Sequence, residues 1–311
     1  MTRIPLLLLV RSFSCSNFRN PVASNSEKEA RLLSRNRQQV PTTPLDIHDA
    51  SSLKSLVSEN DVVVSFVPAI FHTKIAQQCL ATSKNLVTAS YISPELANMN
   101  EQVESAGLTF LCELGLDPGL DHLITMKTLH QFKKSGHSLQ SYTSWCGGLP
   151  APEASNVPLA YKFSWSPRGV LLATMNSATF KKDNQILNIK PEELLKSVQR
   201  VNVFKGLALE GLPNRDSIKY EKVYDLKEFG DVQTVFRGTL RYSGFCQLMQ
   251  AFKELGFLST KEEKLDGVKW VDIVKRLVVA DLDDVPAALK QRFGEVLGAE
   301  VGSALQRYDL F

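Results

Sequence analysis

The alternation of apolar and polar positions divides the chain into two stretches with different periods. "DVVVSFVP" (61–68) is a nearly unbroken apolar run ending in proline, the pattern of a strand buried on both faces of a parallel sheet. "DASSLKSLVSEN" (49–60) puts Leu53, Leu56 and Val57 on one helical face. "HTKIAQQCLATSK" (72–84) does the same with Ile75, Cys79 and Leu80. "NLVTASY" (85–91) then reads as a strand, 94–105 as a polar helix and "GLTFLCELG" (107–115) as a third strand. Helix and strand alternating over about 45–115 predict an α/β domain with a doubly wound parallel sheet.

After residue 140 the period changes. "SLQSYTSWCGGLPAP" (138–152) alternates and then turns rich in glycine and proline, while "GVLLATMNSATF" and "QILNIK" predict a packed segment and a strand. "DVQTVFRGTLRYSG" (231–244) alternates as a strand of an antiparallel or mixed sheet does. Phe245, Leu248, Met249, Phe252 and Leu255 follow at helical spacing and predict a core-facing helix. From 260 the chain reads as helical, with acidic residues and Pro286 opening "DLDDVPAALKQRFGEVLG".

Composition narrows the classes. The chain has 311 residues, 43% hydrophobic, enough for two domains with cores of their own. Its 36 lysines and arginines against 33 acids give a net charge of +3, too small an excess to argue for nucleic acid. No apolar run reaches the roughly 18–20 residues that span a bilayer, so no membrane span is expected. Cysteines 15, 79, 112, 146 and 246 lie apart, with neither zinc-ligand spacing nor a disulfide framework, which fits a reducing compartment. The N-terminus, "MTRIPLLLLVRSFSCSNFRNPVASNSEKEARLL", has no acid before Glu27. It reads as a secretory signal, as an organelle presequence, or as a first strand over "PLLLLV".

The stretch "CELGLDPGLDHLITMK" (112–127) holds the densest chemistry. A strand ending near Leu114 delivers Gly115–Gly119 to the carboxyl edge of the sheet, where open α/β folds bind ligands. Asp117 serves as a helix cap with Pro118 at the first helical position, as a ligand-facing carboxylate, or as both. Asp121 and His122, adjacent on a helix, do not share a face, and no metal site is expected there. "SFVP" and "TASY" end two successive strands, so Ser65, Pro68, Ser90 and Tyr91 either touch a cofactor or form ordinary turns. A dinucleotide domain is expected to open with a strand and GxGxxG. Residues 1–44 contain no glycine, and no such motif occurs before 115. Arg237 and Arg241, four apart on a strand, share a face. With Arg215 in "PNRDS" they suit either a multiply carboxylated ligand or ordinary ion pairs. Cys146 has no base beside it and is not expected to be a nucleophile.

"VTASYISPEL", "ELGLDPGLDH", "YTSWCGGLPAPEASNVPLAYKFSWSPRGVLL", "GLPNRDS" and "RGTLRYSGF" together resemble, in this order, the saccharopine dehydrogenase family. The resemblance covers roughly 45–311 and is strongest to the glutamate-forming branch, including the corresponding part of animal alpha-aminoadipic semialdehyde synthase. It implies a partial Rossmann-like dinucleotide-binding domain over 45–135. A mixed α+β domain over 136–258 would bind substrate and build a homodimer, and a helical region would fill 259–311. It leaves 1–44 unassigned or targeting-like. It implies NAD or NADP as cofactor, and saccharopine, glutamate and 2-aminoadipate 6-semialdehyde as ligands. Its location would be mitochondrial with an animal-type leader and cytoplasmic otherwise.

Carried over by motif, Asp117 is the catalytic candidate. Ser65, Pro68, Ser90, Asp117 and Ser166 would meet the cofactor. Ser90, Tyr91, Arg168, Arg215, Thr239, Leu240 and Arg241 would meet the substrate. Because the family's opening glycine loop and its C-terminal continuation are not found, the expectation is a chain clipped at both ends. The alternative is a catalytically inactive fragment or paralogue that acts as a binding protein.

Overall fold

The computed structural model describes residues 6–10, 22–24, 42–163, 166–262, 267–279 and 284–307. The rest of the arginine- and serine-bearing N-terminal segment, Trp165 and the final residues 308–311 lie outside the described residues. The chain forms two compact units, Met1–Gln131 and Phe132–Phe311.

The sheet of the first unit contains β1 (Leu6–Val10), β2 (Val22–Ser24), β3 (Thr42–Pro44), β4 (Val62–Ser65), β5 (Asn85–Thr88) and β6 (Phe110–Leu111). Their spatial order is β3-β2-β1-β4-β5-β6. β4, β5 and β6 pair in parallel, as do β2 and β3. β1 is antiparallel to both of its neighbours, with Leu7 opposite Ser65 and Val10 opposite Val62. This is the strand order of a dinucleotide-binding sheet with its first strand reversed. Of the three N-terminal readings, the strand is the one found at 6–10.

Asp49 opens helix α1 (Ala50–Ser58): its Oδ1 accepts from the amides of Ser51 at 3.0 Å and Ser52 at 3.2 Å. The other helices of this unit are α2 (His72–Ala81), α3 (Pro94–Ala97), α4 (Asn100–Ser105) and α5 (Leu120–Lys133), which runs across the unit boundary. Leu53, Val57, Ile75, Ala76 and Cys79 pack with Val63, Leu86 and Leu96 in one core. β4 alternates: Val63 and Ser65 are buried, Val62 and Val64 only half-buried. The run expected to be buried on both faces is therefore fully buried on one, where α1 and α2 contribute to the core. Leu80, expected to face inward, is half-buried; Ala76 and His72 hold the inward positions beside Ile75 and Cys79. The polar helix expected over 94–105 is broken at Asn98–Met99 into α3 and α4.

The second unit is a mixed sheet backed by helices. Its strands are β7 (Ser141–Cys146), β8 (Ala178–Lys182), β9 (Gln185–Ile189), β10 (Gln199–Arg200), β11 (Leu209–Pro213) and β12 (Thr234–Tyr242). They are ordered β10-β11-β12-β8-β9, with β7 added in parallel to β12. Its helices are α6 (Pro167–Ala173), α7 (Lys219–Val223), α8 (Phe245–Leu255), α9 (Trp270–Val278), α10 (Val285–Phe293) and α11 (Glu295–Arg307). All five apolar residues of the helical stripe on α8 are buried, and Met249 is wholly inaccessible. They form the centre of a core that includes Val274, Leu289, Val301 and Ala304 from the last three helices. Trp145 lies on the sheet over two glycines: a Cβ at Gly211 or Gly238 would come within 2.3 or 2.2 Å of its ring. Phe236 packs beside it at 4.9 Å between ring centroids. The α/β class, a parallel-sheet unit followed by a mixed sheet with C-terminal helices, is thus as the pattern predicts.

Candidate functional site

Three strand ends and one loop assemble the polar groups of the first unit. β4 ends at Ser65, β5 at Thr88, and β6 leads through Glu113 into Gly115–Gly119. His72, the first residue of α2, is 2% exposed. Its Nδ1 lies 3.0 Å from Ser65 Oγ, and its Nε2 lies 2.8 Å from Ser90 Oγ and 3.0 Å from Thr88 Oγ1. Burial lowers its pKa to about 4, so the ring is neutral near pH 7. His72 thus ties two of the expected cofactor residues, Ser65 and Ser90, into one network. Ser65 is fully buried and its hydroxyl is engaged inside the unit. Pro68 is half-buried and leads into the 3-10 turn Ala69–Phe71.

Tyr91 and Asp117 come together: the Tyr91 hydroxyl donates to Asp117 Oδ1 at 2.7 Å. The helix starts later than the cap reading of Asp117 has it, so Pro118 is not its first residue. The helix begins at Leu120, and the loop before it closes on itself. Gly115 N donates to Pro118 O at 2.8 Å, Leu120 N to Gly115 O at 2.9 Å and Asp121 N to Leu116 O at 3.1 Å. The Asp117–Pro118 peptide is cis. Gly119, at φ 149°, comes so close to Gly115 that a Cβ would lie 2.2 Å from its carbonyl oxygen. Asp121 Oδ1 accepts from the Gly119 amide at 2.7 Å.

Glu113, at φ 62°, braces the same loop. Its amide donates to Ser90 O at 3.0 Å, and its carboxylate accepts from Ile92 N at 3.2 Å. The other carboxylate oxygen lies 3.1 Å from His122 Nε2, while Asp121 Oδ2 is 3.6 Å from His122 Nδ1. Among the described residues no group of three or more histidine, cysteine or carboxylate side chains is arranged to hold a metal ion. No helix among them is long and apolar enough to cross a membrane.

In the second unit, Thr239, Leu240 and Arg241 end β12. Arg241 is 9% exposed, its guanidinium over the rings of Tyr161 at 4.9 Å and Phe245 at 5.3 Å. Nη1 donates to Leu240 O at 2.7 Å, and Nε is buried with no hydrogen-bond partner among the described residues. Burial lowers its pKa. Glu210, opposite it in the ladder, gives both oxygens to the start of α8: Oε2 accepts from Gly244 N at 3.0 Å and Oε1 from Cys246 N at 2.7 Å. A buried cation without an ion-pair partner costs free energy and is an obvious receptor for an external carboxylate.

Arg237, on the same face of β12, is also buried and stacks over Tyr220 at 4.2 Å. Arg215 is exposed at φ 51° just past β11, where Asn214 N donates to Arg237 O. It therefore stands near the opposite end of the β11–β12 ladder from Arg241, about 15 Å away along the strand at ~3.3 Å per residue. Ser166 caps α6, its Oγ accepting from Gly169 N at 3.1 Å, and Arg168 is exposed in the first turn of that helix. A cavity of about 350 Å³ bordered by Leu159, Phe245 and Glu300 includes none of the expected substrate residues.

His72, Glu113 and His122 were not among the sequence-derived site residues. The hydroxyls on His72 are 7, 16 and 18 positions away, which no local pattern reveals.

Two family models match this chain. Residues 4–111 match the saccharopine dehydrogenase NADP binding domain, and 115–300 the saccharopine dehydrogenase C-terminal domain. The first begins well before residue 45, where the motif resemblance starts. Their junction falls between β6 and the Gly115–Gly119 loop. The chain is 37% identical over 267 residues to saccharopine dehydrogenase (NADP(+), L-glutamate-forming) of Pyricularia oryzae, covering 85% of this chain and 59% of that protein. It is 39% identical over 266 residues to mitochondrial alpha-aminoadipic semialdehyde synthase of Bos taurus, covering 83% and 28% respectively. Among solved structures, apo histidine-tagged saccharopine dehydrogenase (L-Glu forming) from Saccharomyces cerevisiae matches with TM-score 0.76 and 34% identity, over 93% of this chain and 66% of that one. The chain thus spans less than two thirds of each of these proteins.

Proposed function

The chain belongs to the saccharopine dehydrogenase family, and from that premise we propose that it is an NAD(P)-dependent oxidoreductase of the glutamate-forming type. Its substrate is saccharopine, oxidised at the C–N carbon to an imine that water splits into glutamate and 2-aminoadipate 6-semialdehyde, a step of lysine metabolism. The observation that carries this reading is Arg241, a buried guanidinium with aromatic walls and no carboxylate in ion-pair contact among the described residues. A tricarboxylate is an apt guest, and Arg215 at the far end of the same ladder suits a second carboxylate of an elongated ligand.

The nicotinamide cofactor supplies the hydride acceptor when bound. Ser90 and Tyr91, following β5, and Asp117 in the facing loop are the residues proposed to border it. Asp117 holds the Tyr91 hydroxyl at 2.7 Å. The pair offers an oxygen that takes the proton released from the substrate amine and returns one on hydrolysis. Thr239 and Leu240 line the substrate beside Arg241, and Arg168 is assigned to the pocket wall. Ser65 and Pro68 shape the strand end under the cofactor, and Ser166 fixes the start of α6. The mitochondrial relatives make that compartment the proposed location, and a homodimer the proposed assembly.

One observation favours a second reading, a binding protein without turnover: β1 runs opposite to the strand that carries the phosphate loop in a dinucleotide fold. Saccharopine-dependent reduction of NADP+ or NAD+ by the purified chain decides between them. We expect turnover. Arg241→Met should lower kcat/KM for saccharopine by about a hundredfold. It should leave the melting temperature equal or higher, since removing an unpaired buried charge relieves desolvation. Absence of reduction by folded protein supports the second reading, and unchanged kcat/KM in Arg241→Met removes the carboxylate assignment.

A further inference from the structure

Tyr91 lies in a segment that no ladder fixes: residues 89–92 run between β5 and α3 outside any strand or helix. Glu113, which follows β6, holds this segment on both sides of Tyr91. Its amide donates to Ser90 O at 3.0 Å, and its carboxylate Oε1 accepts from Ile92 N at 3.2 Å. Backbone and side chain of one residue thus bracket another. Glu113 does this at φ 62°, a left-handed conformation that L side chains other than asparagine and aspartate rarely adopt. Glycine or asparagine would meet that backbone with less strain. A strained glutamate beside a candidate site therefore asks what its carboxylate does there.

The carboxylate links two segments. Its second oxygen, Oε2, lies 3.1 Å from His122 Nε2, and His122 Nδ1 lies 3.6 Å from Asp121 Oδ2. Asp121 Oδ1 in turn accepts from Gly119 N at 2.7 Å. Asp117 stands two residues before Gly119 in that loop. The line Ile92–Glu113–His122–Asp121–Gly119 therefore ties the segment of Tyr91 to the loop of Asp117, alongside the direct 2.7 Å bond between the Tyr91 hydroxyl and Asp117.

We propose that Glu113 is a positioning residue that sets Tyr91 against Asp117, and that glutamate occupies a left-handed position because its carboxylate has this task. Glu113 acts through the pair and exchanges no proton with the substrate. The inference rests on the reading above in which the Tyr91–Asp117 pair handles the proton of the substrate amine. It adds the residue that holds the pair in register.

The test uses the full chain and three variants. Glu113→Gly and Glu113→Asn suit the left-handed backbone but do not reach Ile92 N, whereas Glu113→Gln keeps an oxygen at the same reach. The glycine and asparagine variants should melt close to wild type, yet kcat for saccharopine oxidation should fall about thirtyfold, with KM changed by less than about threefold. Glu113→Gln should keep kcat within about threefold of wild type. A role in stability alone predicts the opposite order, with the glycine variant the least affected. Wild-type kcat in the glycine and asparagine variants overturns the proposal, and so does a loss in Glu113→Gln as large as theirs. If neither the glycine nor the asparagine variant folds, Glu113 is a structural residue and the proposal falls. A second readout does not need turnover. In protein carrying 13C at tyrosine Cζ, the Tyr91 resonance is assigned by its loss in Tyr91→Phe. It should move in Glu113→Gly toward its position in Asp117→Ala and stay near wild type in Glu113→Gln; an unmoved resonance in Glu113→Gly overturns the positioning role. If wild-type protein oxidises no saccharopine, the functional reading fails, while the Tyr91 resonance still decides whether Glu113 sets the pair.

Discussion

At the scale of single residues, the consequential side chains are polar groups enclosed by the fold. His72 makes stability depend on pH in a definite direction. Its folded pKa of about 4 lies below the ordinary 6.5, so the unfolded chain binds the extra proton between those values. The stabilisation is fully present above pH 6.5 and is lost as pH falls toward 4, by up to roughly 3 kcal/mol at about 1.4 kcal/mol per pH unit. Urea titrations at pH 7 and pH 5 should show this loss in the wild type and a smaller one in His72→Gln; parallel losses would contradict it. The same residue marks a limit of sequence reading. Ser90, Tyr91 and Asp117 were legible as candidates because they end strands or interrupt a loop with glycine and proline. His72 was not, since it stands at the start of a helical pattern and acquires meaning only when three distant hydroxyls converge on it. Asp117 kept more than one reading, because Asp-Pro before an apolar run looks the same whether the carboxylate caps the helix or faces a tyrosine.

At the scale of elements, β12 is the strand on which the second unit turns. One face carries Arg237 and Arg241, and the other carries Phe236 and Gly238 beneath Trp145. Periodicity in "DVQTVFRGTLRYSG" predicted the strand and the shared face of the arginines, and the apolar stripe predicted α8. Neither predicted the slot in which the indole rests, because Gly211 and Gly238 lie on neighbouring strands brought together only by pairing. Gly238→Ala should destabilise the fold by about 2–3 kcal/mol through overpacking. Trp145→Ala should lose a similar amount from a cavity. The double variant should cost clearly less than the sum, because the added methyl then has room. Denaturant midpoints of the four proteins measure the coupling; strict additivity would show that the ring and the glycine do not meet.

At the scale of the whole molecule, the chain joins two units of different chemical character. The first gathers hydroxyls and the carboxylates of Glu113, Asp117 and Asp121 beyond its strand ends; the second buries arginines against aromatic rings. Sequence pattern conveyed this division well, since the change of period after 140 accompanies the change from parallel to mixed sheet. It could not convey strand direction. "PLLLLV" reads alike in either sense, and only pairing shows that β1 sits where a dinucleotide fold places its first strand while pointing the other way. That reversal has a consequence for which half of a dinucleotide is recognised. A forward strand would hand its pyrophosphate to the amides of a helix start; here the end of β1 that meets Ser65 is its beginning. On the function proposed above, the affinity should then be concentrated on the nicotinamide riboside end. Reduced nicotinamide mononucleotide should approach NADPH in affinity to within about tenfold, and free adenosine bisphosphate should compete poorly. Calorimetric titration with each of the three ligands would show it, and strong competition by the adenosine fragment would mean that another segment grips the phosphates.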